Sequence, residues 1–560
     1  MFRLLQLLLV LGIFLTGTLQ AADAPSPLAH FSREVDLLLR LKEPDRTLEK
    51  IVALVNKVQP GAGEALKEQQ TALLGQLVSN PGLTGVDLSR DWYAGVYFHE
   101  GTAPVVVFAI PAVNTDDLVG AIGEMTAKVH GNWVVYTDAE ELPAVEESTS
   151  ATKLLNPANL AYFTGGDLNI YANVDHVTTV YAEQIELAQD KILETLNQLR
   201  FLPAQGSFNP QVVIETYGTL AEGLFQALED GQISLASISL TENDLLMNKQ
   251  VTFADDSVSA AFLAKNPPNA LENLLHLPSG AQFYYGMSGD MNELTRVGMK
   301  LGAEMASDKK AAEKITENLS LVDSIKFGPL VASLAISHKD KDVFRATSVV
   351  EGEPIDALRD LNRKTAEASG SIENDVMKQS SVLKLDAETY GTRKADVVEL
   401  TQEIKPGTPT SEMQQQMQKL LFGGETIQSR TVYLDKAYAV TVGGGEQGMK
   451  DLLDGIESSK LNSIAKIRET CMKEANLLFF MDLPRFMGDA LGLVATRIEG
   501  FPLPINSQMI DSLNLKPSYI GMAAGSEKNT ARFELNVPID QIIGMSKLVI
   551  TIGATARGGL

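Results

Sequence analysis

The sequence predicts an α+β protein: extended antiparallel sheets with amphipathic helices packed on one face, arranged by an internal duplication. Three observations predict it. A strand, a short turn and an amphipathic helix recur along the 560 residues. The strands come in two settings, either alone or as the return arm of a hairpin. Hydrophobic residues make up 44% of the chain, enough for real cores and too many for a disordered polymer.

The chain opens MFRLLQLLLVLGIFLTGTLQAADAPSP. Arg3 is a charged head, Leu4 to Leu15 an apolar run, and Ala21, Ala22 and Ala24 supply small residues. That is the outline of a secretory signal peptide, assigned to residues 1–24. The apolar run has 12 residues, whereas a membrane-crossing helix takes about 20. The competing reading is a retained N-terminal anchor. No Cys stands nearby to carry a lipid, and no later run of 18 apolar residues follows. The mature chain is therefore expected to be exported, periplasmic or extracellular, without a transmembrane span.

The first recurring unit is a single strand that ends near an acid or a proline and hands over to a helix. It occurs as VDLLLRLKEPDRTLEKIVALV (Val35 to Val55) and LNIYANVDHVTTVYAEQI (Leu168 to Ile185). It returns as QFYYGMSGDMNELTRVGMKL (Gln282 to Leu301) and LLFFMDLPRFMGDALGLV (Leu477 to Val494). An Asp at the turn accepts hydrogen bonds from free amides of the first helical turn, and its charge suits the helix N-terminus.

The second unit is a hairpin whose return strand feeds a helix. Its members are PVVVFAIPAVNTDDLVGAI from Pro104, SAAFLAKNPPNALENLL from Ser259, VFRATSVVEGEPIDALRDL from Val343 and ARFELNVPIDQIIGMSKL from Ala531. Pro111, Pro267, Pro268, Pro354 and Pro538 sit where the strand must stop. Preceding strands such as WYAGVYF and YIGMAAG lie a few polar residues upstream, a spacing for antiparallel hairpins. These repeats are too irregular for a solenoid. They suggest a duplication with halves at 25–277 and 278–560. Between them, Tyr181, Ile185, Ala188, Ile192, Thr195 and Leu199 form one stripe of a long amphipathic helix. Phe201 to Pro210, Glu403 to Glu412 and Glu499 to Ser507 read as linkers, because their Pro and Gly disfavour helix and central strand.

KAYAVTVGGGEQGMKDLLDGI (Lys436 to Ile456) places Gly443, Gly445 and Gly448 in G-x-G-x-x-G spacing between a strand and a helix. A dinucleotide fingerprint needs a parallel strand–helix–strand unit of about 30 residues, with an acid about 20 residues on. Here TVYLDK precedes the strand, so Asp435 and Lys436 turn a hairpin. The next strong strand, Leu477 to Met481, follows a further helical segment (Ile464 to Lys473), and Asp482 lies 34 residues past Gly448. The bend is expected to be a strand-to-helix turn, with no cofactor bound.

Chemistry is sparse elsewhere. A formal charge of −24, from 71 acidic and 47 basic residues, argues against nucleic acid and anionic lipid as partners. His30, His99, His130, His176, His276 and His338 form no H-x-H or H-E-x-x-H pair, so no metal site is expected from local spacing. His176, after Asp175, reads as a capping and solvated residue. Gly286 to Asp290 (GMSGD) ends in Asp where a nucleophile elbow needs Gly. The S-x-x-K pairs Ser307/Lys310 and Ser463/Lys466 lack their companion motifs. Asp116/Asp117, Glu140/Glu141, Glu146/Glu147 and Asp255/Asp256 read as turn or helix-start acids, the last pair as a hairpin turn. Trp92, Tyr93, Tyr97 and Phe98 are either a sugar-stacking platform or a core strand with one ring outward. Phe479, Phe480, Met481, Phe486 and Met487 read as a doubly buried strand with a core helix, or as an apolar groove for lipid or peptide. Cys471, the single Cys, permits no internal disulfide and reads as a small apolar residue on a helix.

The units GGDLNIYANVDHVTTVYAEQI and GAQFYYGMSGDMNELTRVGMKL, with the signal peptide, make the chain resemble a group of large exported bacterial proteins of unknown function. The resemblance spans most of the mature chain and implies no activity and no catalytic residues. The expected function is a non-enzymatic envelope protein that binds or scaffolds protein partners through sheet and helix surfaces. The alternatives are a carrier of an apolar ligand, lipid or hydrophobic peptide, in a groove between sheet and helices, and then a hydrolase assembled from distant residues.

Overall fold

Strands form where apolar residues alternate or run together, and every paired neighbour is antiparallel. The computed structural model describes residues 27–145, 150–198, 210–305, 309–339, 343–368, 371–373, 377–405, 411–422, 424–497 and 506–556. The signal peptide expected at 1–24 lies outside these residues, as do 201–209, 406–410 and 499–505 of the three linkers.

The chain begins with β1 (Leu37–Leu41), α1 (Pro44–Val58), α2 (Ala62–Glu68), α3 (Gln70–Leu77), β2 (Trp92–Tyr97) and β3 (Val105–Pro111). Next come α4 (Thr115–Ile122), β4 (Thr126–His130), β5 (Trp133–Thr137), α5 (Pro157–Gly165), β6 (Leu168–Asn173) and α6 (Val174–Val180). Then follow α7 (Ala182–Gln198), α8 (Pro210–Glu229), β7 (Gly231–Leu240), β8 (Asp244–Phe253), α9 (Val258–Lys265) and β9 (Phe283–Met287). The middle of the chain forms α10 (Met291–Met305), α11 (Lys309–Val322), β10 (Lys326–Ile336), β11 (Phe344–Glu353), α12 (Ile355–Ala368) and β12 (Ser371–Glu373). It goes on through β13 (Met377–Tyr390), β14 (Arg393–Ile404), α13 (Ser411–Phe422), β15 (Thr426–Tyr433), β16 (Ala437–Gly443) and α14 (Gly445–Ser458). It ends with α15 (Ala465–Arg468), β17 (Leu477–Met481), α16 (Leu483–Arg497), α17 (Ser507–Ser512), β18 (Ile520–Glu527), β19 (Thr530–Pro538) and α18 (Ile539–Ala556).

Two compact units emerge. The first holds the described residues of Met1–Asp190, Gly223–Leu263 and Glu527–Ile543; the second holds those of Lys191–Glu222, Ala264–Ser526 and Gly544–Leu560. In the first, the strand order is β4–β5–β3–β2–β1–β6–β7–β8–β19. In the second it is β12–β13–β14–β15–β16–β11–β10–β9–β17–β18. The α+β class is thus realised with antiparallel ladders.

The four single-strand units, β1, β6, β9 and β17, each pair with the first strand of the hairpin or strand pair that follows: β2, β7, β10 and β18. Two of them also lie side by side in each sheet, β1 with β6 and β9 with β17. The residue before β1 is Asp36 and the residue before β9 is Gln282, 0% and 2% exposed. Both make the same set of bonds. The Asp36 amide donates to the Val96 carbonyl, and its own carbonyl accepts from the Asn173 amide at the end of β6 (2.9 and 2.7 Å). The Gln282 amide donates to Leu334, and its carbonyl accepts from the Asp482 amide at the end of β17 (3.1 and 2.7 Å). The side chains match as well. Asp36 Oδ2 accepts from the Phe98 amide at 2.7 Å and Gln282 Oε1 from the Ile336 amide at 2.9 Å. Asn173 and Asp482 in turn cap the helices that follow, accepting from the amides of His176 and Arg485.

Cores lie on both faces of each sheet, which corrects the expectation of helices on one face only. In the first unit Leu38, Tyr93, Val107, Val135 and Tyr171 point to one side, under Phe31, Leu155 and Phe163 of the flanking segments and α5. Trp92, Ile110, Val134 and Tyr136 point to the other, under α3 and α4. In the second unit a row of Val331, Val349, Ala439, Val432 and Ala395 runs across the sheet beneath α14, while Phe327 and Tyr438 meet α11 and α12 opposite. The physical reason is in the strands: Val331 and Ala332, or Leu38 and Leu39, are buried as adjacent residues, so both sides of the pleat are covered at these positions.

SAAFLAK is a second correction. It is helix α9, not a return strand; the strand of that unit is β8, and Pro267 and Pro268 follow a helix. Its Ala, Leu and Lys favour helix, and Ser257 Oγ caps it by accepting from the Ala260 amide at 3.1 Å. Asp255 and Asp256 therefore sit in a strand-to-helix turn rather than a hairpin. Pro111, Pro354 and Pro538 do stand at strand-to-helix junctions, as expected. Hairpins β4–β5 and β13–β14 lie outside the two recurring patterns.

Gly95 pairs with Leu38 and Val107 in the middle of the first sheet. A Cβ there would meet the Phe31 ring at 2.6 Å. Phe31 is fully buried, so it has nowhere to go. Gly95→Ala should cost about 1–3 kcal/mol, read as a lower urea midpoint with an unchanged slope; an unchanged midpoint would show that the ring yields freely.

Candidate functional site

The glycine bend is a packing device. β16 runs antiparallel to β15 on one side and to β11 on the other, so the same-direction strands that a dinucleotide crevice requires are absent here. Gly443, Gly444 and Gly445 take φ of 71°, 67° and 57°, the left-handed region open to glycine without strain. A Cβ on Gly443 would lie 2.2 Å from the Phe344 carbonyl oxygen, and one on Gly444 2.9 Å from Arg345 Cδ. Arg345 Nη1 donates to Asp451 Oδ2 on α14 at 3.0 Å, so a guanidinium already lies along the start of this helix.

The histidines are scattered among structural duties. His176 Nδ1 lies 2.5 Å from the buried Asp36 Oδ1, across 140 residues of chain. This corrects its reading as a capping residue: Asn173 is the cap. His338 bridges Asp489 (Nδ1 to Oδ1, 2.7 Å) and Asp511 (Nε2 to Oδ1, 3.3 Å), and Lys339 Nζ also reaches Asp511 at 2.5 Å. His30 and His130 face each other with ring centroids 4.9 Å apart. Burial, and then His130, lowers His30 to about 4. Among the described residues no group of three or more His, Cys, Asp or Glu stands close enough to hold a metal ion.

The other flagged residues are mostly structural. Asp116 and Asp117 do occupy a first helical turn, with Asn114 as the cap. Glu140 and Glu141 are exposed, while Glu146, Glu147 and Ser307 lie outside the described residues. Ser463 Oγ lies within hydrogen-bond reach of the Tyr284 and Tyr519 hydroxyls, at 3.2 and 2.9 Å, and Lys466 is exposed. Trp92, Tyr93, Tyr97 and Phe98 are all buried, so no ring turns outward to a sugar. Strand β17 is half-buried rather than doubly buried: Leu478 and Phe480 are fully covered and Leu477 is 40% exposed. Phe479 lies on the other face, near Phe283, whose ring meets Phe486 edge-on at 4.8 Å. Cys471 lies past the short helix α15, against the core, rather than on a helix.

A buried ionic cluster escaped sequence reasoning, although a lone Arg inside LLLRL is a visible signal. Arg40 is 4% exposed. It pairs with Asp91 at 2.7 Å and donates to the Thr164 and Gly166 carbonyls at 3.0 and 3.1 Å. Nearby, Asp167 Oδ2 accepts from the Leu240 amide at 3.2 Å, and its Oδ1 is buried with no hydrogen-bond partner. Burial raises the Asp167 carboxyl from 3.8 to about 7, against the lowering pull of the Leu240 amide and of Lys50, Lys42 and Arg40. Burial, then Arg40, lowers Lys42. The cluster joins β1 to the end of α5 through the Thr164 and Gly166 carbonyls.

Because the folded state holds the Asp167 proton to about 7 and the unfolded chain only to 3.8, stability is lost as pH rises through that window. Asp167→Asn should remove the loss. Its gain in Tm should be larger at about pH 8 than at about pH 4; a gain equal at both would contradict the assignment.

A partly open cavity with an aliphatic lining lies in the first unit. It has a volume of about 350 Å3. Helix α1 supplies Ile51, Leu54, Val55 and Val58, from its amphipathic face. The sheet supplies Leu240, Leu245 and Val537, and the start of α18 supplies Ile539 and Ile542. Local bonds hold these walls. Val537 pairs with Leu245 in register, and the Ile539 amide donates to the Asn243 carbonyl at 2.7 Å. Lys57 Nζ donates to the Glu242 carbonyl and Asn243 Oδ1 at 2.5 and 3.3 Å, tying α1 to the β7–β8 turn. The polar side chains at the cavity are Gln59 and Asp244. Asp244 Oδ2 accepts from Thr241 Oγ1 at 3.1 Å. Sequence alone hides this site, because its walls lie 51 to 542 in chain order.

A second surface feature is helix α8. Tyr217, Leu220, Leu224 and Leu228 fall on one face at spacings of three and four, and are 57%, 58%, 72% and 38% exposed. Among the described residues, no helix is long and apolar enough to cross a membrane.

Compared with known proteins, the chain matches no family model, no curated protein and no solved structure.

Proposed function

We propose that this chain is an exported, non-enzymatic protein of the bacterial envelope that binds or scaffolds other proteins through its helix and sheet surfaces. The observation that carries the proposal is the apolar face of α8. An isolated exposed leucine is ordinary; four large apolar side chains in helical register are the pattern by which a helix docks into a partner's groove. Glu222 and Glu229, seven residues apart, lie on the other side of the helix, so the apolar face is free of charge. The apolar start of the chain supports export. The likeness to large exported bacterial proteins and the shared bonding of Asp36 and Gln282 support the same origin by duplication of a strand–helix–strand-pair unit.

Leu220→Glu combined with Leu224→Glu tests the docking role. These positions are exposed, so the unfolding midpoint should stay within a few degrees of the parent. A photoreactive side chain at Tyr217 should crosslink to discrete envelope proteins in the parent chain and lose those products in the double variant. Unchanged crosslinks would overturn the role of α8. Turnover of a glycan, peptide or ester by the pure chain, abolished by changing one carboxylate or Ser, would overturn the non-enzymatic reading.

The aliphatic cavity favours a second reading, a carrier of an apolar ligand. Its volume falls in the range of small-molecule sites, and its lining matches one.

A further inference from the structure

We propose that the cavity of the first unit takes a single alkyl chain whose head group is neutral or cationic and donates hydrogen bonds. The proposal rests on the carrier reading and names the ligand.

Three observations select this chemistry. First, the walls are aliphatic throughout: Leu54, Val58, Leu240 and Ile539 are typical of them, and no aromatic ring lines the space. Planar ligands and sugars would find no stacking surface, and a polar ligand would leave its groups without partners. A saturated chain has no polar group to leave unpaired there, and its burial offsets the cost of ordering it. Second, about 350 Å3 is more than twice the roughly 150 Å3 of a dry cavity that binds benzene. It suits an alkyl chain of about ten carbons and is too small for a two-chain phospholipid. Third, the polar side chains at the cavity are a carboxylate, Asp244, and an amide, Gln59. A carboxylate only accepts hydrogen bonds. Among the described residues no Lys or Arg lines the cavity, and Lys57 of α1 directs its ammonium to the Glu242 carbonyl and Asn243 Oδ1. A fatty-acid carboxylate would therefore face Asp244 with like charge, in a chain that carries −24 overall. An alcohol or an ammonium would donate to it.

The test uses the purified full chain and calorimetric titration with 1-decanol, decylamine and decanoate at about pH 8. Decanol and decylamine should bind, with affinity rising about fourfold per added methylene until the space is full. Decanoate should bind at least about tenfold more weakly. Asp244→Asn, which keeps an acceptor for Thr241, should bring decanoate level with decanol. Filling the wall at Leu54 risks the fold, so Ile542→Trp is the blocking variant; this side chain is 42% exposed at the cavity mouth. With its circular dichroism unchanged, it should abolish binding of all three probes. Binding that survives in Ile542→Trp places the ligand elsewhere and overturns the site. Decanoate equal to decanol, with no response to Asp244→Asn, overturns the head-group assignment and leaves the carrier reading standing. Binding of none of the probes removes both.

Discussion

Each sheet hangs on one buried polar residue placed immediately before its first single strand. Asp36 and Gln282 both have more hydrogen-bonding capacity than a single neighbour satisfies, and neither has access to water. Burying such a group without partners costs several kcal/mol by roughly the amount its hydration is worth. The cost is offset only if the ends of two flanking strands arrive together: Phe98 and Asn173 around Asp36, Ile336 and Asp482 around Gln282. A one-residue slip would turn every side chain of the strand to the wrong face and leave these amides orphaned at the same time. Register in the sheet interior therefore follows from polar satisfaction at its rim. The close seating of Phe31 on Gly95, and the row from Val331 to Ala395, depend on it.

The same logic explains why charged groups appear inside. Arg40 occupies a strand position that its neighbours fill with leucine, and it is tolerated because Asp91 and two carbonyls take its donors. A buried pair of this kind adds little net stability but strongly penalises the loss of either member. It specifies where β1 meets the end of α5 rather than strengthening the core. Asp167 is the less satisfied member of the neighbourhood, and its raised proton affinity is the visible residue of that shortfall.

Much of the architecture was legible because strand, turn and helix obey different periods. β1, β6, β9 and β17, each followed by its helix, could be read from apolar runs that end at Asn, Asp or Pro. The antiparallel setting of the glycine bend was legible too, from the two-residue turn before it. Local readings failed where periodicity is silent. SAAFLAK is apolar between Ser259 and Lys265 and too short to show a period, so its helix looked like a strand. The second covered face went unseen because adjacent buried residues look the same whether a strand has one apolar neighbour layer or two. The partners of His176 and Arg40 lie 140 and 51 residues away in sequence, and no local pattern encodes such meetings. The cavity is the extreme case: each wall is an ordinary amphipathic segment, and only their convergence makes a site.

Strand β19 shows what that convergence demands in time. Its partner β8 was made long before: Thr530 and Thr252, which touch across the pair, are 278 positions apart. Until β19 emerges, one edge of β8 has an unclaimed ladder of amides and carbonyls, the kind of rim on which stray chains accrete. Without β19, β8 would keep β7 on one side and have an unpaired edge on the other. The first unit is thus closed by a strand that follows its partner by 278 positions, and the same strand brings Val537 to the wall of the aliphatic cavity.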